Sequence, residues 1–224
     1  MNAFTLYSSP ASPFGARVLI AARVKGITFE CIRATAELLR STEYRALNPV
    51  RKIPLLITHD GNAIPESESI LHYIEDRFPR PSLLPRDPDQ RARINVAVRI
   101  MDIYVMAPVI RLFSQLEPAT RDAKIVSEEV SRWKDGLTAL AHFMDSPLPR
   151  AEAELSLADC VLPPSLHLSS RIARLLGHSE DFLRPHPSLG EYYSRMEVHP
   201  LVGPILEAMT AAQAVRDANH TQKH

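Results

Sequence analysis

Four prolines fall within ten residues, at Pro79, Pro81, Pro85 and Pro88. Proline has no backbone N–H, and its ring clashes with the preceding helical turn. Neither a helix interior nor a central strand runs through this stretch, so the chain divides here. The two sides differ in pattern. Before the prolines, Phe4 to Tyr7, Thr28 to Arg33, Ile53 to Thr58 and Asn62 to Ile64 read as short strands. Ser12-Pro13 has the form of an N-cap followed by proline at the first helical position. Val18, Leu19, Ala22 and Val24 continue that helix to Lys25, and Gly26 is placed to cap it. Residues 36–47 are weakly helical, Asp60-Gly61 is a hairpin turn, and Ser67 to Phe78 is a helix with Ile70, Leu71 and Ile74 on one face.

After the prolines every segment reads as helical: 88–116, bent at Pro108, then 119–145, 165–177, 187–196 and 200–215. Ser156-Leu157-Ala158-Asp159 has the capping-box arrangement, and Pro163-Pro164 behind it predicts a kink or an early break. The domains expected are an α/β domain over 1–79, a linker over 80–88, an all-helical domain over 89–216 and a flexible tail over 217–224. At 224 residues and 45% apolar content the chain is long enough for one large core or two small ones. The 26 basic residues balance the 26 acidic ones, so no excess charge draws nucleic acid or an anionic membrane. Cys31 and Cys160 are far apart and outside any CxxC pair, which indicates neither a disulfide framework nor a zinc site. Both read as buried small apolar residues. The histidines lack metal-ligand spacing, so no metal is expected. No membrane span or secretory leader is visible, and a reducing cytoplasm is the default.

Chemistry concentrates in three places. Ile53-Pro54 opens a strand. Glu66-Ser67 opens a helix, where free N–H groups and a hydroxyl suit a carboxylate and Glu66 supplies the opposite charge for an ammonium. The loop from Pro10 to Val18 carries Ser12 at a helix start. The apolar-Pro strand, the turn and the run Glu66-Ser67-x-x-Ile70 together resemble the glutathione transferase family, over roughly residues 3–215. That resemblance implies a thioredoxin-like N-terminal domain followed by an all-helical one. It also implies a cis bond at Ile53-Pro54, whose neighbouring backbone pairs with the cysteinyl unit of a bound thiol peptide.

On this resemblance Ser12 activates the thiol. It matches the serine of the Pro-Ala-Ser pattern in phi-like members, the leading serine of zeta-like members and the cysteine of a Cys-Pro-Phe pattern. Tyr7 and Ser9 are the rivals, with Ser8 beside them. A free thiol titrates near pH ~8.5, and lowering that by one to two units asks roughly 1.4–2.7 kcal/mol of a helix terminus and one hydroxyl donor. No cysteine lies in this loop, which argues against a disulfide oxidoreductase. The glutathione contacts implied are Ser12, Arg40, Lys52, Ile53, Pro54, Glu66 and Ser67. Arg40 stands where relatives carry a His-Lys pair. Phe14, Met101, Tyr104, Val105 and Pro108 are the expected lining of an electrophile pocket, with core packing as the other reading of that stripe.

The activity implied is conjugation of glutathione to a small hydrophobic electrophile, or reduction of organic hydroperoxides, in detoxification. The alternatives are a dedicated catabolic step at the same site (dehalogenation, ether cleavage or isomerisation) and a non-catalytic scaffold. The resemblance further implies a homodimer.

Overall fold

The computed structural model describes residues 4–178 and 182–221. They fall into two compact units. One takes in residues 4–83, 152–154 and 200–221; the other takes in 84–151, 155–178 and 182–199.

The first unit is built on a four-stranded sheet of β1 (Thr5–Ser8), β2 (Glu30–Arg33), β3 (Leu55–Ile57) and β4 (Ala63–Pro65), in the order β2-β1-β3-β4. β1 and β2 are parallel, and the other two pairings are antiparallel. The helices are α1 (Pro13–Lys25), α2 (Ala36–Arg40), α3 (Thr42–Leu47) and α4 (Ser67–Arg77). This is a thioredoxin-like arrangement. Leu6 from β1, Val18 from α1, Leu56 from β3, and Ile70 and Ile74 from α4 close the core. Phe4 extends it, with Phe29, Tyr73 and Phe78 set edge-on around its ring. Cys31 corrects the sequence reading: it is exposed, because β2 is an edge strand with little covering it.

One buried ion pair ties this unit together. The Lys25 side chain at the end of α1 is 0% exposed, and its Nζ lies 2.7 Å from Glu75 Oε2 on α4. Lys25 also donates to the carbonyls of Phe78 and Pro81. Glu75 accepts from the Ser82 hydroxyl and the Leu83 N–H. The start of the proline-rich segment is thus fastened to the ends of two helices, and the Arg80–Pro81 bond within it is cis.

The second unit contains α5 (Pro88–Ile100), a π-helical turn (Met101–Met106), α6 (Ala107–Leu112), α7 (Ala123–Met144), α8 (Leu157–Leu175) and α9 (Pro187–Glu197). The long helix expected over 88–116 is interrupted by the π-turn just before Pro108. α7 packs directly on that turn: a Cβ on Gly136 would stand 2.1 Å from the Tyr104 carbonyl oxygen. Only glycine permits this approach. Of the kink or early break expected at Pro163-Pro164, the break does not occur, and α8 runs through both prolines. Both are buried, and the Ser165 hydroxyl donates to the Val161 carbonyl beside the lost backbone bonds. The capping box at Ser156 and Asp159 is present, and the Tyr192 hydroxyl donates to the remaining oxygen of Asp159 at 2.9 Å.

The last helix, α10 (Gly203–Thr221), belongs with the first unit and packs on α1. The sequence reading places residues 200–216 in the helical domain and a tail after them. Periodicity identifies the helix but not its neighbour, and Gln213 donates to the Ala11 carbonyl 202 residues away. Residues 222–224 lie outside the described residues.

Removing one partner of a buried pair leaves the other charge uncompensated, so Lys25→Met or Glu75→Gln is expected to cost about 3–5 kcal/mol in urea unfolding. Acid acts through two groups. Burial and then the Arg174 charge hold the His167 pKa down to about 4, whereas an unfolded histidine titrates near ~6.5. The unfolded chain takes the proton first, so stability falls as pH drops from ~6.5 towards 4. Burial alone would raise the Glu75 pKa, but hydrogen bonds from Lys25, Ser82 and Leu83, with the Lys25 charge, hold it below the ordinary 4.5. Its contribution is present above that value and is lost as pH falls further. Urea midpoints should therefore decline in two stages, and His167→Gln should abolish the first.

Candidate active site

Two of the three motifs lie at the N-termini of α1 and α4, and the third leads into β3, whose first residue, Leu55, pairs with Tyr7 and Pro65. Ser12 is the N-cap of α1, extended at φ −89°, and its hydroxyl oxygen accepts from the Gly15 N–H at 3.3 Å. A serine hydroxyl has one proton and two acceptor positions. Accepting from Gly15 leaves that proton to be donated elsewhere. The thirteen-residue helix behind Ser12 has no acidic residue in its first turn, so nothing there offsets the positive end of its dipole.

The rivals are placed differently. Ser9 makes the preceding turn: its hydroxyl oxygen accepts from the Ala11 N–H and its carbonyl from the Ser12 N–H. Tyr7 alternates away from the buried Leu6 and Ser8 and packs edge-on against Tyr44. Ser8 is 8% exposed.

The Ile53–Pro54 bond is cis. The residue before it is held from the other side of the loop. The Lys52 carbonyl accepts from the Tyr44 hydroxyl at 2.7 Å and from the Asn48 side-chain amide at 2.9 Å. Asn48 is buried, and its Oδ1 also accepts from the Val50 N–H. The Asn-Pro loop is therefore wrapped around one asparagine, and Arg51 within it adopts φ 56°. The Lys52 side chain is exposed, as is Arg40 at the end of α2.

Glu66 is exposed at the N-cap of α4 with φ 67° and ψ 119°. A non-glycine residue at positive φ costs of order 1–3 kcal/mol and is retained only where its surroundings over-determine it. No side chain caps α4 at this end, so the first-turn N–H groups are left to other acceptors. Ser67 follows, 6% exposed. Its hydroxyl oxygen lies 3.5 Å from Nη1 of Arg17.

Sequence reasoning missed Arg17. It is 0% exposed on α1, and its guanidinium lies over the Phe14 ring, 4.7 Å from the centroid. It links the helix that carries Ser12 to the one that begins at Ser67. The available signal was a lone cation inside an otherwise apolar helix face. Tyr44 and Asn48 were also missed as supports for Lys52; neither carries a local signal of that role.

Of the five residues expected to line an electrophile pocket, Phe14 belongs to the first unit and the other four to the second. Phe14 stacks with Arg17. Met101 and Val105 are fully buried and Pro108 is buried, because α7 presses on the π-turn that holds the first two. Tyr104 is 56% exposed on that turn. Among the described residues no group of three or more histidine, cysteine, aspartate or glutamate side chains is arranged to hold a metal. No helix among them is long and apolar enough to cross a membrane.

The N-terminal domain model of the glutathione S-transferases matches residues 6–82. The chain is 31% identical over 181 residues to a maleylacetoacetate isomerase of Pseudomonas aeruginosa, which covers 76% of this chain and 82% of that protein. The chain belongs to the glutathione S-transferase family. It is an enzyme of that family by the same likeness. Glutathione S-transferase Z2 of Arabidopsis thaliana is 30% identical over 202 residues, 84% of this chain and 83% of that one. Among solved structures, a glutathione S-transferase from Methylobacterium radiotolerans in complex with glutathione sulfonate superimposes with a TM-score of 0.76 at 25% identity. It covers 91% of this chain and 94% of its own.

Arg17→Ala removes a buried cation, its ring contact and its hydrogen bond to Ser67 together. It is expected to cost about 2–4 kcal/mol in urea unfolding. Arg17→Lys should recover only part of this, since an ammonium lacks the planar fork.

Proposed function

We propose that this transferase binds glutathione in its first unit and uses Ser12 to stabilise the thiolate. The observation that carries the reading is the Ser12 hydroxyl at the head of α1. It accepts one bond from Gly15 and keeps a proton for an anion in line with the helix dipole. At the second helix start, the uncapped N–H groups of α4 and the Ser67 hydroxyl suit the γ-glutamyl carboxylate, and Glu66 suits its ammonium. The backbone at Ile53-Pro54 takes the cysteinyl unit, and Lys52 and Arg40 supply cations for the glycyl carboxylate. The gain in rate comes from a lowered thiol pKa and from proximity.

The thiolate attacks a small hydrophobic electrophile or reduces an organic hydroperoxide. A second reading, glutathione-dependent isomerisation, is favoured by one observation: relatives matching most of the chain are named maleylacetoacetate isomerases. In that reaction the thiolate adds to a conjugated double bond and leaves again, so glutathione is returned unchanged. A reducing cytoplasm suits Cys31 and Cys160, neither of which forms a disulfide. A homodimer is part of the proposal; the exposed Leu47 and Val50 in one unit, and Val96, Ile103 and Ile110 in the other, provide apolar surface for a second copy.

Ser12→Ala should abolish turnover of a chloronitroarene and of a maleyl-type diacid while lowering glutathione affinity only modestly by calorimetry. Undiminished turnover in the variant would move the role to another hydroxyl, and no binding by the wild type would overturn the reading. Glu66→Gly should separate stability from function. It relieves the positive φ and is expected to raise stability by about 1 kcal/mol, yet weaken glutathione binding at least about tenfold.

A further inference from the structure

Ser8 ends β1 and is buried beneath the first turn of α1, and its hydroxyl has no hydrogen-bond partner among the described residues. An unpartnered buried hydroxyl calls for an explanation. Its place supplies one. A Cβ built on Gly15 would stand 1.9 Å from Ser8 Oγ and 3.2 Å from Ser8 Cβ. The Ser8 side chain therefore occupies the volume that any other residue at position 15 would need. Gly15 is also the residue whose N–H is bonded by the Ser12 hydroxyl, and the same hypothetical Cβ lies 3.8 Å from Ser12 Cβ. Strand end, first helical turn and thiolate-binding serine thus meet at one point.

We infer that Ser8 and Gly15 form a size-matched interlock that sets the height of the first turn of α1 over β1, and with it the position of the Ser12 hydroxyl. Both are positioning residues. They act on the thiol through Ser12 and the first-turn N–H groups. The inference rests on the proposed thiolate role of Ser12 and adds to it two residues that touch neither substrate nor each other by hydrogen bond. What position 8 contributes is volume, and what position 15 contributes is the lack of it. A charge-assisted hydrogen bond weakens steeply with misalignment, so a displaced first turn reads out directly as a higher pKa of the bound thiol.

The test compares wild type, Gly15→Ala and the double variant Ser8→Gly/Gly15→Ala. Calorimetry gives glutathione binding, and thiolate absorbance against pH gives the pKa of the bound thiol. Gly15→Ala should raise that pKa by half a unit or more, leaving at least about threefold less thiolate below it. The double variant moves the missing volume from one side of the contact to the other and should return the titration to the wild-type value. A purely structural role would change thermal stability and leave the thiol pKa where it was. If Gly15→Ala binds glutathione and titrates as wild type does, the interlock is overturned. If Gly15→Ala fails to fold, the double variant decides: folding with a wild-type titration supports the interlock, while a displaced titration or failure to fold overturns it. Wild-type protein that binds no glutathione would overturn the proposed function and this inference with it. Wild-type binding with no displacement in the variants overturns the inference alone.

Discussion

The buried pair of Lys25 and Glu75 is the constraint from which the first unit takes its geometry. Each ion is offset by its partner and by further hydrogen bonds: Lys25 has two carbonyls, and Glu75 has a hydroxyl and an N–H. Taking two ions out of water is costly, and such a pair is tolerated only when its remaining hydrogen-bonding capacity is met. The pair sits at the C-terminal ends of α1 and α4. The proposed chemistry sits at the other ends of the same helices, where Ser12 caps one and Glu66 opens the other. A second tie, from Arg17 to Ser67, joins them nearer the site. Two helices fixed to each other along their lengths hold their N-termini at a set separation, which an extended ligand with a thiol and a distant carboxylate requires.

The proposed site is built from uncommitted groups. α4 starts without a side-chain cap and with its N-cap residue at positive φ. Ser12 caps α1 with its oxygen and leaves its proton available. At Ser156, by comparison, serine and Asp159 satisfy one another and Tyr192 takes the remaining oxygen.

Much of the first unit was legible because its rules are local. Ser12-Pro13 and Gly26 bound α1 through contacts no more than four residues long, and each end falls where those residues place it. The succession of strands and helices along the chain followed from alternating runs and turn residues, and the resemblance implied the thioredoxin-like class, while the order of strands in the sheet came only with the structure. The second unit was legible as helices, but its details were not. Pro163-Pro164 breaks an isolated helix, yet burial on several sides keeps α8 whole. A π-turn rather than Pro108 interrupts the helix before it, because α7 approaches closely at Gly136.

The sequence by itself determined the division at the prolines, the helix caps and the residues that resemble a glutathione site. Each depends on residues within one turn or one strand pairing. Only the tertiary structure decided that Arg17 reaches Ser67 across fifty residues of sequence, that Tyr44 and Asn48 support Lys52, that α10 belongs with α1, and that Ser8 fills the space left by Gly15. Cys31 shows the same limit: a small residue in a strand reads as buried until the strand is found at the sheet edge. Burial and long-range partnership are properties of packing, and a pattern within the chain cannot specify which surface will cover it.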